Sequence, residues 1–177
     1  MNEIRAFPLR HLEPRECFIS RTPTLISTVL GSCVAITVFD KRTKIGGMAH
    51  AFLPYAKDYV SDPGYPCKFV DASVDYLMRV FSRLRVEHSR LEVKVFGGGD
   101  ALSQCQVHRG TAGCSRSWAG VGPRNVEAAR EVLAKRGLRI AAEDVGGVLG
   151  RKVLFLTHTG GVWVKKLDNG YAKNNCR

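Results

Sequence analysis

The run Cys33-Val34-Ala35-Ile36-Thr37-Val38-Phe39 constrains this chain more than any other stretch. It alternates with the period of a β-strand, yet both alternating sets are mostly apolar: Val34, Ile36 and Val38 on one side, Ala35, Thr37 and Phe39 on the other. Such a strand has no face to give to water, so it must lie inside a sheet covered on both sides. That requires a layered fold rather than one half-exposed sheet. Asp40-Lys41-Arg42-Thr43-Lys44 follows as a polar hairpin loop, and Ile45 to Leu53 is the return strand, ended by Pro54.

The open end of this hairpin carries two residues with chemistry. Cys33 comes directly after the turn Leu30-Gly31-Ser32, and His50 closes Gly46-Gly47-Met48-Ala49-His50. Pairing centred on Lys41 and Arg42, with no bulge, sets residue 33 opposite residue 50, about 5 Å apart at Cβ. A free thiol is mostly protonated at neutral pH, and a neighbouring imidazole supplies the base it needs, so the pair can exist as thiolate and imidazolium. Gly31 lets the backbone turn tightly, and N–H groups exposed around Gly31 and Ser32 would suit the oxyanion of a tetrahedral intermediate. An imidazole in this role is oriented by a third group. Asp40 and Asp58 are distant along the strands, whereas Ser27 and Thr28, just ahead of the turn, offer hydroxyls. From the residues alone a second reading stays open, with Cys33 a small buried hydrophobe and His50 a satisfied core histidine.

The remaining chain supplies the covering layers. Ile4 to Leu12, Cys17 to Ser20 and Thr24 to Val29 read as strands, interrupted at Glu13-Pro14-Arg15 and Thr22-Pro23. Residues 55–66 hold two prolines, a glycine and three tyrosines, and form a loop suited to a substrate-binding rim. Val70, Val74, Leu77, Met78, Phe81 and Leu84 recur at helical spacing and predict an amphipathic helix from Cys67 to Leu84. A strand from Leu91 to Phe96 is closed by Gly97-Gly98-Gly99, and residues 100–122 read as a long loop. Pro123 starts a second helix with Val126, Ala129, Val132 and Leu133 inward and Gly137 at its end. Strands follow at Leu138 to Val145, Lys152 to Thr157 and Val162 to Leu167, with a polar tail from Asp168. About eight strands and two helices, without repeat or linker, make residues 1–177 a single mixed α/β (α+β) domain.

Composition narrows the function. The 177 residues suffice for one core that buries roughly 70% of the unfolded surface. No apolar run reaches the length of a membrane span, and the first residues lack a basic-then-apolar leader, so a cytoplasmic protein without membrane insertion is expected. Six cysteines stand at positions 17, 33, 67, 105, 114 and 176, with none spaced C-x-x-C. Cys105, His108 and Cys114 offer only three donors at irregular spacing, so no metal is expected there. The net charge of +11 favours an acidic partner. The basic residues are spread along the chain without a nucleic-acid module, which points to an acidic protein surface rather than nucleic acid.

Several blocks carry a resemblance. Thr28-Val29-Leu30-Gly31-Ser32-Cys33-Val34-Ala35, Gly46-Gly47-Met48-Ala49-His50 and Leu53-Pro54 resemble the CheD family of bacterial chemotaxis proteins, as do Lys94-Val95-Phe96-Gly97-Gly98-Gly99, the helix start Gly122 to Ala128 with Arg124-Asn125-Val126, Ala142 to Gly147 followed by Gly150-Arg151-Lys152, and Gly160-Gly161-Val162 through Leu167. These blocks run in order over nearly the whole chain. The resemblance implies a layered α/β/β/α fold and a chemoreceptor glutamine deamidase that needs no cofactor. It implies Cys33 as nucleophile and His50 as base. The family's third residue is a threonine six places before the cysteine, a place held here by Ser27, with Thr28 one step later as the fallback. The implied partners are the cytoplasmic helical bundle of a methyl-accepting chemoreceptor and a CheC-type phosphatase. A receptor adaptor without catalysis and a receptor glutamate methylesterase are the alternatives. The cysteine-rich stretch 100–118 is longer than the family's usual loop.

Overall fold

The computed structural model of the chain describes residues 6–59, 65–100 and 120–167. Its centre is the strand that the sequence marks as doubly buried. Strand β4 (Val34–Asp40) is buried at all seven positions. It lies between β5 (Ile45–Ala51) and β6 (Leu91–Gly97) in a five-stranded sheet completed by β2 (Cys17–Ser20) and β7 (Ile140–Val145), in the order β2-β5-β4-β6-β7. A second sheet has the order β1-β3-β8-β9, from β1 (Leu9–His11), β3 (Leu25–Leu30), β8 (Arg151–Leu156) and β9 (Gly161–Lys166). Only β1–β3 and β6–β7 are parallel, so the sheets are mixed and largely antiparallel, as expected.

The two faces of β4 meet different partners. Val34, Ile36 and Val38 point to helix α1 (Val70–Arg83) and helix α2 (Val121–Lys135), where Val74, Leu77, Phe81 and Leu133 are almost wholly excluded from water. Ala35 and Phe39 point to the second sheet and pack with Ile26, Met48, Val153 and Phe155. The order is therefore helices, five-stranded sheet, four-stranded sheet. The outer face of the four-stranded sheet, with Leu9, Val29 and Trp163 exposed, carries no helix among the described residues, so these form three layers of the α/β/β/α arrangement.

Helix α1 starts at Val70 rather than Cys67. The chain turns at Pro66–Cys67, where Lys68 N–H closes on Tyr65 O, and Phe69 is then held extended, because the Lys68 carbonyl accepts from the N–H groups of Phe52 and Leu53 and Phe69 bridges to Leu53. Helix α2 starts two residues before Pro123, which the first turn tolerates because those N–H groups have no intrahelical partner. It ends as expected: Gly137 has φ 68°, with the N–H groups of Gly137 and Leu138 closing back on Ala134 and Leu133. The first strand is confined to Leu9–His11. Cys105, His108, Cys114 and the tail from Asp168 lie outside the described residues.

Gly46 on β5 sits directly against the chain leaving β8, where a Cβ would lie 2.2 Å from the Thr157 carbonyl oxygen. That neighbour is backbone and cannot rotate away. Gly46→Ala is expected to lower stability by about 1–3 kcal/mol through overpacking, read as a lower urea midpoint with an unchanged slope.

Candidate active site

Strand β3 ends at Leu30 in one sheet and β4 begins at Val34 in the other, so Gly31, Ser32 and Cys33 carry the chain across the gap. Three consecutive carbonyls pin this crossing. Gly99 N–H donates to Gly31 O (2.8 Å), Asn125 Nδ2 to Ser32 O (2.9 Å) and Gly98 N–H to Cys33 O (2.7 Å). A regular antiparallel ladder would return the bond from Cys33 N–H to Gly98 O. The positive φ at Gly97 (103°) and Gly98 (61°) breaks the ladder there, and the Gly98 carbonyl oxygen packs instead against Gly122. The N–H groups of Gly31, Ser32 and Cys33 have no partner among the described residues. The glycine requirement expected at Gly31 falls here: Gly31 has open space around it, whereas a Cβ at Gly97 would lie 2.3 Å from Cys33 O.

His50 lies on β5 opposite Ala35, not opposite Cys33. The pairing is shifted by two residues from the one centred on Lys41–Arg42, so the turn centre moves one residue on, to Arg42–Thr43, because the Asp40 carboxylate caps Thr43 (2.6 Å to Oγ1, 3.1 Å to N) and Lys44 takes φ 58° before Ile45 pairs with Asp40. A shift of two preserves the face. Cys33, Ala35, Met48 and His50 all point between the sheets, and Cys33 becomes a diagonal neighbour of His50, a relation that spans about 7–8 Å in an antiparallel pair.

The imidazole is held from the opposite sheet. Thr28 Oγ1 lies 2.8 Å from His50 Nδ1 and donates its one proton to Leu12 O, also at 2.8 Å. A hydroxyl that has donated elsewhere can only accept, so Nδ1 carries the hydrogen and Nε2 is the free base. That Nε2 is buried and has no partner among the described residues. Ser27, the residue first expected on His50, does not reach it. It points to the outer face and meets His11 Nδ1 at 3.4 Å, because the inward set on β3 is Ile26, Thr28 and Leu30. The backbone of His50 is fixed on both sides, its N–H to Glu16 O and its carbonyl to Arg15 N–H, each at 2.8 Å.

Burial sets the charge state of the pair. It pushes the Cys33 thiol up to about 11, only partly offset by the residue's own backbone N–H. It also pulls His50 down to about 4, helped by nearby His11 and opposed by Leu12 O and Glu16. Burial thus favours the neutral thiol and imidazole over the thiolate and imidazolium that the sequence also allows.

Asn125 also braces this crossing, and it is quoted from the sequence only as part of a family block. It is fully buried in the second turn of α2, and its Nδ2 spans Ser32 O and Phe52 O (3.1 Å), tying the helix to the crossing and to the end of β5. A polar residue on the apolar face that Val126 and Ala129 share was the signal that could have found it. Among the described residues no group of three or more His, Cys, Asp or Glu side chains could hold a metal.

A family model described as CheD chemotactic sensory transduction matches residues 52–166. The chain belongs to the CheD family. CheD relatives cover it more widely than that model does. A protein of Maridesulfovibrio salexigens named "Probable chemoreceptor glutamine deamidase CheD" is 44% identical over 160 residues, 89% of this chain and 91% of that one. A "Probable chemoreceptor glutamine deamidase CheD 2" of Geobacter sulfurreducens is 41% identical, covering 91% of each. One of Thermococcus kodakarensis, named like the first, is 37% identical over 86% of this chain and 89% of its own. The CheD model begins at residue 52, after Cys33 and His50, so the pairing of those two rests on the geometry above.

Two measurements check the site. Thr28→Val is expected to cost about 1–3 kcal/mol, since it strands Leu12 O and His50 Nδ1, and to broaden or shift the Nδ1–H tautomer signal in 15N NMR. Ser27→Ala should leave that signal unchanged. Second, because the folded His50 value lies near 4 and the ordinary one near 6.5, the unfolded chain takes up the proton first as pH falls. Stability is then complete above about pH 6.5 and is lost toward pH 4, by up to about 3 kcal/mol. Urea midpoints across that window should fall in the native chain and fall less in His50→Gln.

Proposed function

We propose that this chain hydrolyses glutamine side-chain amides of a chemoreceptor to glutamate, releasing ammonia. The observation that carries the reading is the free Nε2 of His50, set by the Thr28–Leu12 relay on the face it shares with Cys33. Membership of a family whose relatives bear the deamidase name supplies the substrate class.

In this reading Cys33 Sγ adds to the amide carbonyl carbon while its proton passes to His50 Nε2. The oxyanion is held by the unpaired N–H groups of the Gly31–Cys33 crossing, whose direction is fixed because their carbonyls are tethered the other way. The imidazolium gives its proton to the leaving nitrogen, ammonia departs and a thioester remains. His50 then takes a proton from water, the hydroxide attacks the thioester, and glutamate and the Cys33 thiol are released. Thr28 accepts from Nδ1–H throughout and so steadies both the ring and its transient charge. The charge of +11 favours capture of an acidic receptor bundle and implies salt-sensitive association. The proposed place of action is the cytoplasm. Among the described residues no helix is long and apolar enough to cross a membrane. A CheC-type phosphatase is proposed as a second partner at the same face.

Purified receptor cytoplasmic domain incubated with the protein should gain about 1 Da per converted glutamine, with ammonia released. Cys33→Ala should lower that rate by at least about a thousandfold. The kcat/KM profile should lose activity on the acid side near pH 4, following His50, rather than near 6.5. Methanol in place of ammonia, from a methylated receptor, would replace the reading with ester hydrolysis. Full cellular function in Cys33→Ala would replace it with an adaptor.

A further inference from the structure

The three tethers on the crossing are not alike. Gly31 O and Cys33 O are held by main-chain N–H groups, whereas Ser32 O is held by a side chain, Asn125 Nδ2, at 2.9 Å. The second proton of that nitrogen goes to Phe52 O at 3.1 Å, two residues past His50. Both partners are carbonyl oxygens and can only accept, so the nitrogen of the amide, not its oxygen, must face them. The other end of the amide bears the cost. Asn125 Oδ1 is buried and has no partner among the described residues. An orphaned acceptor costs about 1–3 kcal/mol, so the fold keeps this amide for its two donors.

We propose that Asn125 is a positioning residue, turning the Ser32–Cys33 peptide so that Cys33 N–H holds the oxyanion formed when Cys33 is acylated. This role rests on the acyl transfer proposed for Cys33. A trans peptide carries its C=O and N–H in opposite directions, and no described peptide is cis. With Ser32 O drawn toward α2, Cys33 N–H points away from the helix, to the side where the Cys33 and His50 side chains lie. Burial raises the Cys33 thiol, and the group that works against it is this same N–H.

During attack Sγ bonds to the acyl carbon, the thiol proton passes to His50 Nε2, and the carbonyl electron pair moves to oxygen. That oxygen is one bond from the carbon under attack, so a donor beside Sγ is placed to hold it. None of the bonds that fix His50 involves Asn125: the ring is set by Thr28 and the backbone by Glu16 and Arg15. Loss of the Asn125 amide should therefore free the Ser32–Cys33 peptide and leave the base in place.

Two reactions of Cys33 separate this role from a structural one. Acetylation by p-nitrophenyl acetate passes through an oxyanion, whereas alkylation by iodoacetamide displaces iodide and forms none. In Asn125→Leu, acetyl transfer to Cys33, read by peptide mass after acid quench, should fall about 100-fold, and alkylation of Cys33 should keep its rate. With receptor as substrate, kcat should fall and KM should hold. A second measurement uses the native chain alone. Butyraldehyde adds to the thiol as a hemithioacetal, sulfur to carbon and thiol proton to oxygen, and the Cys33 N–H signal should move downfield in 15N NMR. The proposal is overturned if acetylation and alkylation fall together, if Asn125→Leu is acetylated as fast as the native chain, if the native Cys33 is not acetylated, or if its N–H signal ignores the aldehyde. Acetylation that depends on Asn125, in a chain that releases no ammonia from receptor, supports this role and overturns the deamidase reading alone.

Discussion

Everything in this fold follows from a strand that cannot face water. Val34, Ile36 and Val38 are each fully excluded on one side of β4, and Ala35 and Phe39 nearly so on the other. At about 1.5–3 kcal/mol for each large apolar side chain removed from water, neither face can be left open. Two helices close one side and a second sheet closes the other. The crossing from that second sheet into β4 then has one place to be, and Cys33 is its last residue.

Into this apolar interior the chain threads a small set of polar groups, each with a fixed direction. Asn125 spends both donors of its amide on the carbonyls of Ser32 and Phe52. Thr28 spends its proton on Leu12 and so dictates which nitrogen of His50 is free. Hydrogen bonding rather than charge does the arranging, as a dry site demands, since an ion pair there would bear a desolvation cost at rest. The result is a thiol and a base that are positioned but uncharged.

Most of the framework was legible because burial imprints a period. The doubly apolar strand, the i, i+3, i+4 stripe of α1 and the glycine stop of α2 all appear in the structure close to where the sequence places them. What was illegible depends on contacts that periodicity does not carry. The register slipped by two because Asp40 caps Thr43 and lengthens the turn, a local hydrogen bond with no hydrophobic signature. The face was preserved, since a shift of two leaves the pleat unchanged. The choice between Ser27 and Thr28 turned on which side of β3 meets the other sheet, and neighbours on a strand differ only in that. The start of α1 moved because a turn closes at Cys67 and Phe69 is recruited as a bridge to Leu53.

The Thr28–His50 bond has a further consequence. It joins the two sheets, so the base is correctly set only where the layers have docked in register. Each sheet could be well formed on its own and the imidazole would still lack its hydroxyl. The assembly of the site thus requires long-range closure and is not secured by local structure. In the proposed deamidation, competence becomes a built-in gauge of whether the two layers have docked in register.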